Sequence, residues 1–346
     1  MLHTMWLTSI ALSAASLLVM MLLIVRRVVV RRRVTTDATD RQRLFKALIA
    51  FSEDKDAARL KAVLRSVPPR VTLDGGFEFL GLVRGEEHAQ IVAIFVESGL
   101  RGHILAQLRK GNEAERIHTA EMLAVLPSDD TVAGLLLALE KDRSREVRIA
   151  VAIALCELQA LPPLPVLLAK IGVRGQRSRR LVELFGRFPS DRIAEVMEFA
   201  AREAEPAFVR AAAIEALGQS GDLQLADFLS ASAKDPSSEV SAAAIRAIGR
   251  IGHPDARAIV VEAMSSEHWD VRADAAEAAG KFGSPEMIEP LIKLIDDEEW
   301  TVRYAAGRAI RMLSDQGLEA LELLASVDGS RAQRMASLVL SEGKVA

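Results

Sequence analysis

Phe208-Val209-Arg210-Ala211-Ala212-Ala213-Ile214-Glu215-Ala216-Leu217-Gly218, with Gly221 three residues on, is the phrase that decides the fold. Val-Arg returns at Val271-Arg272 and Val302-Arg303, and Val240-Ser241 keeps the register with serine in the arginine slot. Val209, Val240, Val271 and Val302 are spaced 31 residues apart. Gly218, Gly249 and Gly280 share that spacing, as do Gly221, Gly252 and Gly283. A fixed period of this size marks a stacked repeat array.

Each phrase reads as a helix followed by a second helix. Val209, Ala213, Ala216 and Leu217 fall at i, i+4, i+7 and i+8, one face of an α-helix. The small residue at i+7 recurs as Ala154, Ala216, Ala247, Ala278 and Ala309, which lets a neighbouring helix approach closely. Gly221, Gly252 and Gly283 suit a left-handed C-terminal cap. Second helices are expected at Leu223–Ala233, Pro254–Met264 and Pro285–Ile295, the last two opened by proline. Upstream, Arg116–Leu126 is a degenerate copy, Glu146–Leu158 a clear one, and Arg177–Gly186 a copy at which the period stumbles. Gln333-Arg334-Met335-Ala336 predicts a capping helix.

The pattern Val-Arg-x-x-Ala-x-x-Ala-Leu-Gly-x-x-Gly, followed by a second helix, resembles the short bacterial HEAT-like repeat, also called the PBS-lyase HEAT-like repeat. The resemblance is clear over residues 146–340 and reaches back weakly to about 112. It implies an all-α, right-handed α-solenoid of HEAT-like helical hairpins over residues 111–346. It further implies that Arg148, Arg210, Arg272, Arg303 and Arg334 form a structural ladder with acids of adjoining turns, such as Asp142 or Asp297. Trp269 and Trp300, one period apart, would cover the edges of their own helix pairs. The competing readings are an anion-binding stripe for the arginines and a binding surface for the tryptophans. Members of this group include scaffolds, adaptors, bilin lyases, a di-iron hydroxylase and DNA-repair glycosylases, so the fold leaves activity open.

The chain has 346 residues, is 50% apolar and only 4% aromatic, and has one cysteine, Cys156, so no internal disulfide can form. From Trp6 to Val25 no residue is charged, and Arg26, Arg27, Arg31, Arg32 and Arg33 follow. Twenty such residues span roughly 30 Å as a helix, the thickness of a bilayer core. The alternative is a cleaved signal peptide. The lack of Lys or Arg before the run and the dense Arg cluster after it favour a single uncleaved transmembrane anchor over residues 1–33. The positive-inside rule then places the amino terminus outside an inner membrane and the solenoid in the cytoplasm. All 47 acidic residues but only 39 of the 44 basic ones lie beyond residue 33.

Residues 34–110 read as irregular helical hairpins that begin the solenoid. Val34–Asp40 is expected as a polar linker, and Leu44, Leu48, Ile49 and Phe51 as the apolar side of a helix. Pro68-Pro69 is expected to stop a helix over 56–67, and Asp74-Gly75-Gly76 to mark a turn. Helices are expected at Gly85–Ser98 and Leu100–Lys110.

Catalysis has little support. No histidine is followed by glutamate, against the His-Glu pairs that the resemblance would require of a di-iron hydroxylase. There is no phosphate loop, zinc spacing or nucleophile elbow. Cys156 sits on an apolar helix and reads as core. The acidic balance disfavours nucleic acid, which calls for a strongly basic domain. No cofactor, metal or small-molecule substrate is implied. The expectation is a membrane-tethered scaffold or adaptor that binds proteins at the cytoplasmic face. The alternatives are an enzyme of the bilin-lyase type and a periplasm-facing adaptor. Arg174, Arg177, Arg179 and Arg180, where the period stumbles, rank first as partner contacts, ahead of Trp269 and Trp300.

Overall fold

The computed structural model describes residues 20–21, 36–173, 178–327 and 329–342. Apart from Met20 and Met21, the anchor expected at Trp6–Val25 and its arginines Arg26, Arg27, Arg31, Arg32 and Arg33 lies outside these residues. Among the described residues no single helix is long and apolar enough to cross a membrane. The described chain is helical throughout and has no strand. It forms two compact units, one up to Thr131 and one from Val132 onward.

The first unit holds α1 (residues 36–54), α2 (Ala57–Ser66), α3 (Pro69–Leu82), α4 (Glu86–Glu97), α5 (Leu100–Lys110) and α6 (Glu113–Ala124). Leu44, Leu48, Phe51, Leu60, Ile91 and Phe95 are buried in its core. Several local expectations change here. The segment 36–40, expected as linker, is the first turn of α1. Ile49 faces solvent, being off the stripe that Leu44, Leu48 and Phe51 share. Pro68 and Pro69 do more than end α2, because Pro69 opens α3, where a missing N–H costs nothing. Gly75 and Gly76 lie inside α3 rather than in a turn. A Cβ on Gly76 would fall 2.7 Å from the Phe95 ring, and one on Gly75 3.3 Å from Leu44. These glycines serve close helix packing.

In the second unit, first helices run side by side: α8 (Arg145–Glu157), α10 (Arg179–Gly186), α12 (Ala207–Gln219), α14 (Ser238–Ile251), α16 (Trp269–Phe282) and α18 (Trp300–Met312). Between them come second helices α9 (Leu164–Ile171), α11 (Ile193–Ala200), α13 (Ala226–Ser232), α15 (Arg257–Ala263) and α17 (Ile288–Leu294). The helix α7 (Asp129–Lys141) precedes the first of these pairs. From α11 onward each second helix packs on the first helix that follows it. The expected second helices begin as 3₁₀ turns at Leu223–Leu225, Pro254–Ala256 and Pro285–Met287 before becoming α. The capping glycines behave as read, with φ of 69° at Gly221, 70° at Gly252 and 65° at Gly283. At the end, α19 (Ser314–Ser326) and α20 (Arg331–Glu342) close the array, and α20 packs on α18 where the next first helix would lie.

The earlier glycine column has a different duty from the caps. Gly218 is buried within α12, and a Cβ on it would meet Ala247 of the next repeat, 2.7 Å from its Cα. Gly249 faces the Ala278 Cα in the same way at 2.8 Å, and Gly280 faces that of Ala309 at 3.0 Å. The alanines at i+7 thus seat on glycines of the preceding helix, which brings neighbouring backbones together.

This contact gives a test. Gly249→Ala adds helix propensity, worth up to about 1 kcal/mol, but forces overpacking against a backbone, which costs roughly 1–3 kcal/mol. A net loss in urea denaturation is expected, partly recovered by Gly249→Ala/Ala278→Gly. Gly102→Ala in α5, with nothing within 4 Å, should show the propensity gain alone.

Candidate functional site

The arginine column lies between repeats. Arg210 is buried and pairs with the buried Asp235 of the following turn, while its Nε donates to the Ala200 carbonyl at 2.8 Å. Arg272 donates twice to Asp297, at 2.8 and 2.9 Å, and to the Ser266 carbonyl at 2.8 Å. Arg303 donates to the carbonyls of Asp297 and Glu298, both at 2.8 Å. Arg148 meets the backbone carbonyl of Asp142 and that of Ile171, and Arg334 donates to the Gly329 carbonyl at 3.3 Å. Each of these arginines caps a turn, and two of them also reach forward to a carboxylate. Hydrogen bonding to Asp297 raises the Arg272 pKa above its ordinary value. Burial pushes the Asp297 carboxyl up, but the Arg272 bonds, the Glu299 N–H and the nearby charges outweigh it and hold the group low.

Removing one partner of the most buried pair should be costly. Arg210→Ala leaves Asp235 buried without its counter-charge, and a loss of about 3–5 kcal/mol in denaturant unfolding is expected. A change below about 1 kcal/mol would show that the pair is solvated.

The two tryptophans are each half covered and half open to solvent. Trp269 is 49% and Trp300 53% exposed, at the starts of α16 and α18. Trp300 stacks on Tyr304, with centroids 5.0 Å apart and planes at 9°, and Arg308 lies 5.8 Å from the Tyr304 ring.

Trp269 borders a groove of about 700 Å³ across α10, α12, α14 and α16. Its floor is small, with Ala211, Ala212 and Ala242, and Phe208 adds an aromatic edge. Glu215, Arg246 and Asp270 bring charge. Of the arginines expected as contacts, Arg179 lines this groove, Arg180 does not, and Arg174 and Arg177 lie outside the described residues. Trp300 lies on the next repeat, outside the groove. The groove runs along first helices. The signal missed is a third column of the repeat: Glu215, Arg246, Glu277 and Arg308 stand one period apart and alternate in sign.

Another column carries one exception. Ala212, Ala243 and Ala305 stand in register with Asp274. Asp274 accepts from Arg246 of the preceding repeat. Burial nonetheless pushes its carboxyl up to about 6, reinforced by Glu277 and Asp270 and opposed by Arg246. Because the folded pKa exceeds the ordinary 3.8, the folded state holds the proton more tightly and loses stability as pH rises through that window. Relative to Asp274→Ala, the native protein should lose about 1–3 kcal/mol between pH 4 and pH 7. Parallel urea midpoints for the two proteins across that range would contradict this.

Cys156 is buried, and burial pushes its thiol up to about 12, far from the thiolate a nucleophile needs. Among the described residues no three His, Cys, Asp or Glu side chains cluster to hold a metal ion.

Residues 225–311, spanning α13 to α18, match the family model described as HEAT repeats. No curated protein matches the chain. Among solved structures, E. coli YibA is similar at 18% identity, over 66% of this chain and 77% of that one, with a TM-score of 0.37. Kap121p bound to Nup53p is similar at 16% identity, over 83% of this chain and 40% of that one, with a TM-score of 0.39. Human deoxyhypusine hydroxylase is similar at 14% identity, over 71% and 96%, with a TM-score of 0.26. Likenesses this low assign neither an activity nor a partner to this chain.

Proposed function

We propose that this protein is a scaffold or adaptor whose HEAT array binds another protein through the first-helix groove, tethered at the cytoplasmic face of a membrane by its amino-terminal helix. The observation that carries the binding reading is the exposure of Trp269 beside that groove. In a chain with 4% aromatic residues, a half-exposed tryptophan is surface spent on contact. The tether rests on the uncharged run Trp6–Val25 and the arginines after it. Tethering would concentrate the array near partners on the same membrane. A HEAT array suits this role because stacked repeats present an extended surface of fixed geometry.

The test is in-cell photo-crosslinking from Val182, which lines the groove, in the full chain. A discrete adduct is expected, lost or reduced at least tenfold in Trp269→Ala with an unchanged circular dichroism spectrum. It should also weaken when residues 1–33 are removed. Adducts indifferent to Trp269 would refute the groove, and a carboxyl-terminal reporter active only in the periplasm would refute the orientation.

A further inference from the structure

Between the Arg210 and Arg272 rungs the ladder is interrupted, and both of its halves are missing there. Arg210 reaches Asp235 and Arg272 reaches Asp297, each 25 residues ahead. At Ser241 the corresponding carboxylate position is Ser266. An arginine alone or an aspartate alone at this interface would leave a buried charge without its partner, so the paired loss is the neutral way to break the ladder. Ser266 keeps the slot's other duty. Its hydroxyl accepts from the His268 N–H at 3.3 Å, as the Asp235 and Asp297 carboxylates accept from Ser237 and Glu299, both at 2.9 Å. Ser241 is buried and donates to the Ala233 carbonyl at 2.6 Å.

Where the guanidinium would lie, a half-open cleft of about 490 Å³ remains. Ser241 and Ser266 line it, with Ser265, Glu262 and Glu267. Its one cation, Lys234, pairs with Glu262 at 3.0 Å, so the lining keeps a negative excess. Hydroxyl acceptors and carboxylates around a slot that neighbouring repeats fill with arginine match a planar, five-donor fork better than a lysine ammonium. We infer that this cleft accepts the guanidinium group of an arginine presented by a protein partner. This rests on the protein-binding reading above, but on a separate surface from the Trp269 groove.

The experiment is hydrogen–deuterium exchange of the full chain with millimolar N-acetyl-arginine amide, against the citrulline and lysine analogues. Exchange in peptides covering 233–241 and 262–271 should slow at least threefold with arginine and not with neutral citrulline. Ser241→Arg/Ser266→Asp, which refills the slot from within, should abolish the effect. Should that variant not fold, Glu267→Gln serves instead and should weaken protection severalfold. No protection by arginine, equal protection by citrulline or lysine, or protection retained in the refilled slot would each overturn the inference. The Val182 crosslink to the groove would survive any of these outcomes, so the two readings fail separately.

Discussion

The distance between neighbouring first helices depends on one contact, an alanine Cβ seated on a glycine of the previous repeat. Gly218, Gly249 and Gly280 admit Ala247, Ala278 and Ala309 where any side chain on the glycine would collide with backbone. At that separation there is no room for large residues between the helices. This is why α12 and α14 bury runs of alanine on several sides, and why the array is built with few aromatics. Close backbones also bring each turn within reach of the arginine from the adjoining first helix. The core stripe and the ladder are consequences of the same spacing.

The ladder is specific more than it is strong. A buried ion pair recovers in attraction much of what it loses in desolvation, whereas a pair with one member removed does not. Such a contact tolerates joint replacement and punishes single replacement. Ser241 and Ser266 have the form of a joint replacement. The serine at 266 preserves the turn bond to His268, so the local chain direction is kept while the charge is dropped.

Much of this was legible from sequence because repetition separates duties by column. Valine, alanine and leucine recurring on a helical stripe can only be core, and glycines at a fixed offset past the stripe can only be caps. The Gly218 column recurred as clearly, yet its purpose needed the neighbouring helix, since a glycine's reason lies in what approaches it. Gly75 and Gly76 were misread as a turn for the same reason: the Phe95 and Leu44 contacts that explain them come from distant sequence. How much of Trp269 and Trp300 stays exposed is a property of the stack, which one repeat of sequence does not show. The groove was missed since its floor is alanine, indistinguishable in one repeat from core alanine.

What stacking leaves unused decides where recognition can be placed. Core, cap and ladder positions are held by contacts with the previous and next repeat, so a change there is felt as lost stability. Positions such as Glu215, Arg246, Glu277 and Arg308 are neither core, cap nor ladder, although Arg246 does reach Asp274 of the next repeat, and they differ from repeat to repeat in the sign of their charge. Asp274 shows how sharp the division is. It stands in an alanine column, and burial drives its carboxyl toward neutrality even with Arg246 beside it. Through its bond to Arg246, which lines the groove bordered by Trp269, the one carboxylate in the alanine column stands beside the surface that stacking leaves open.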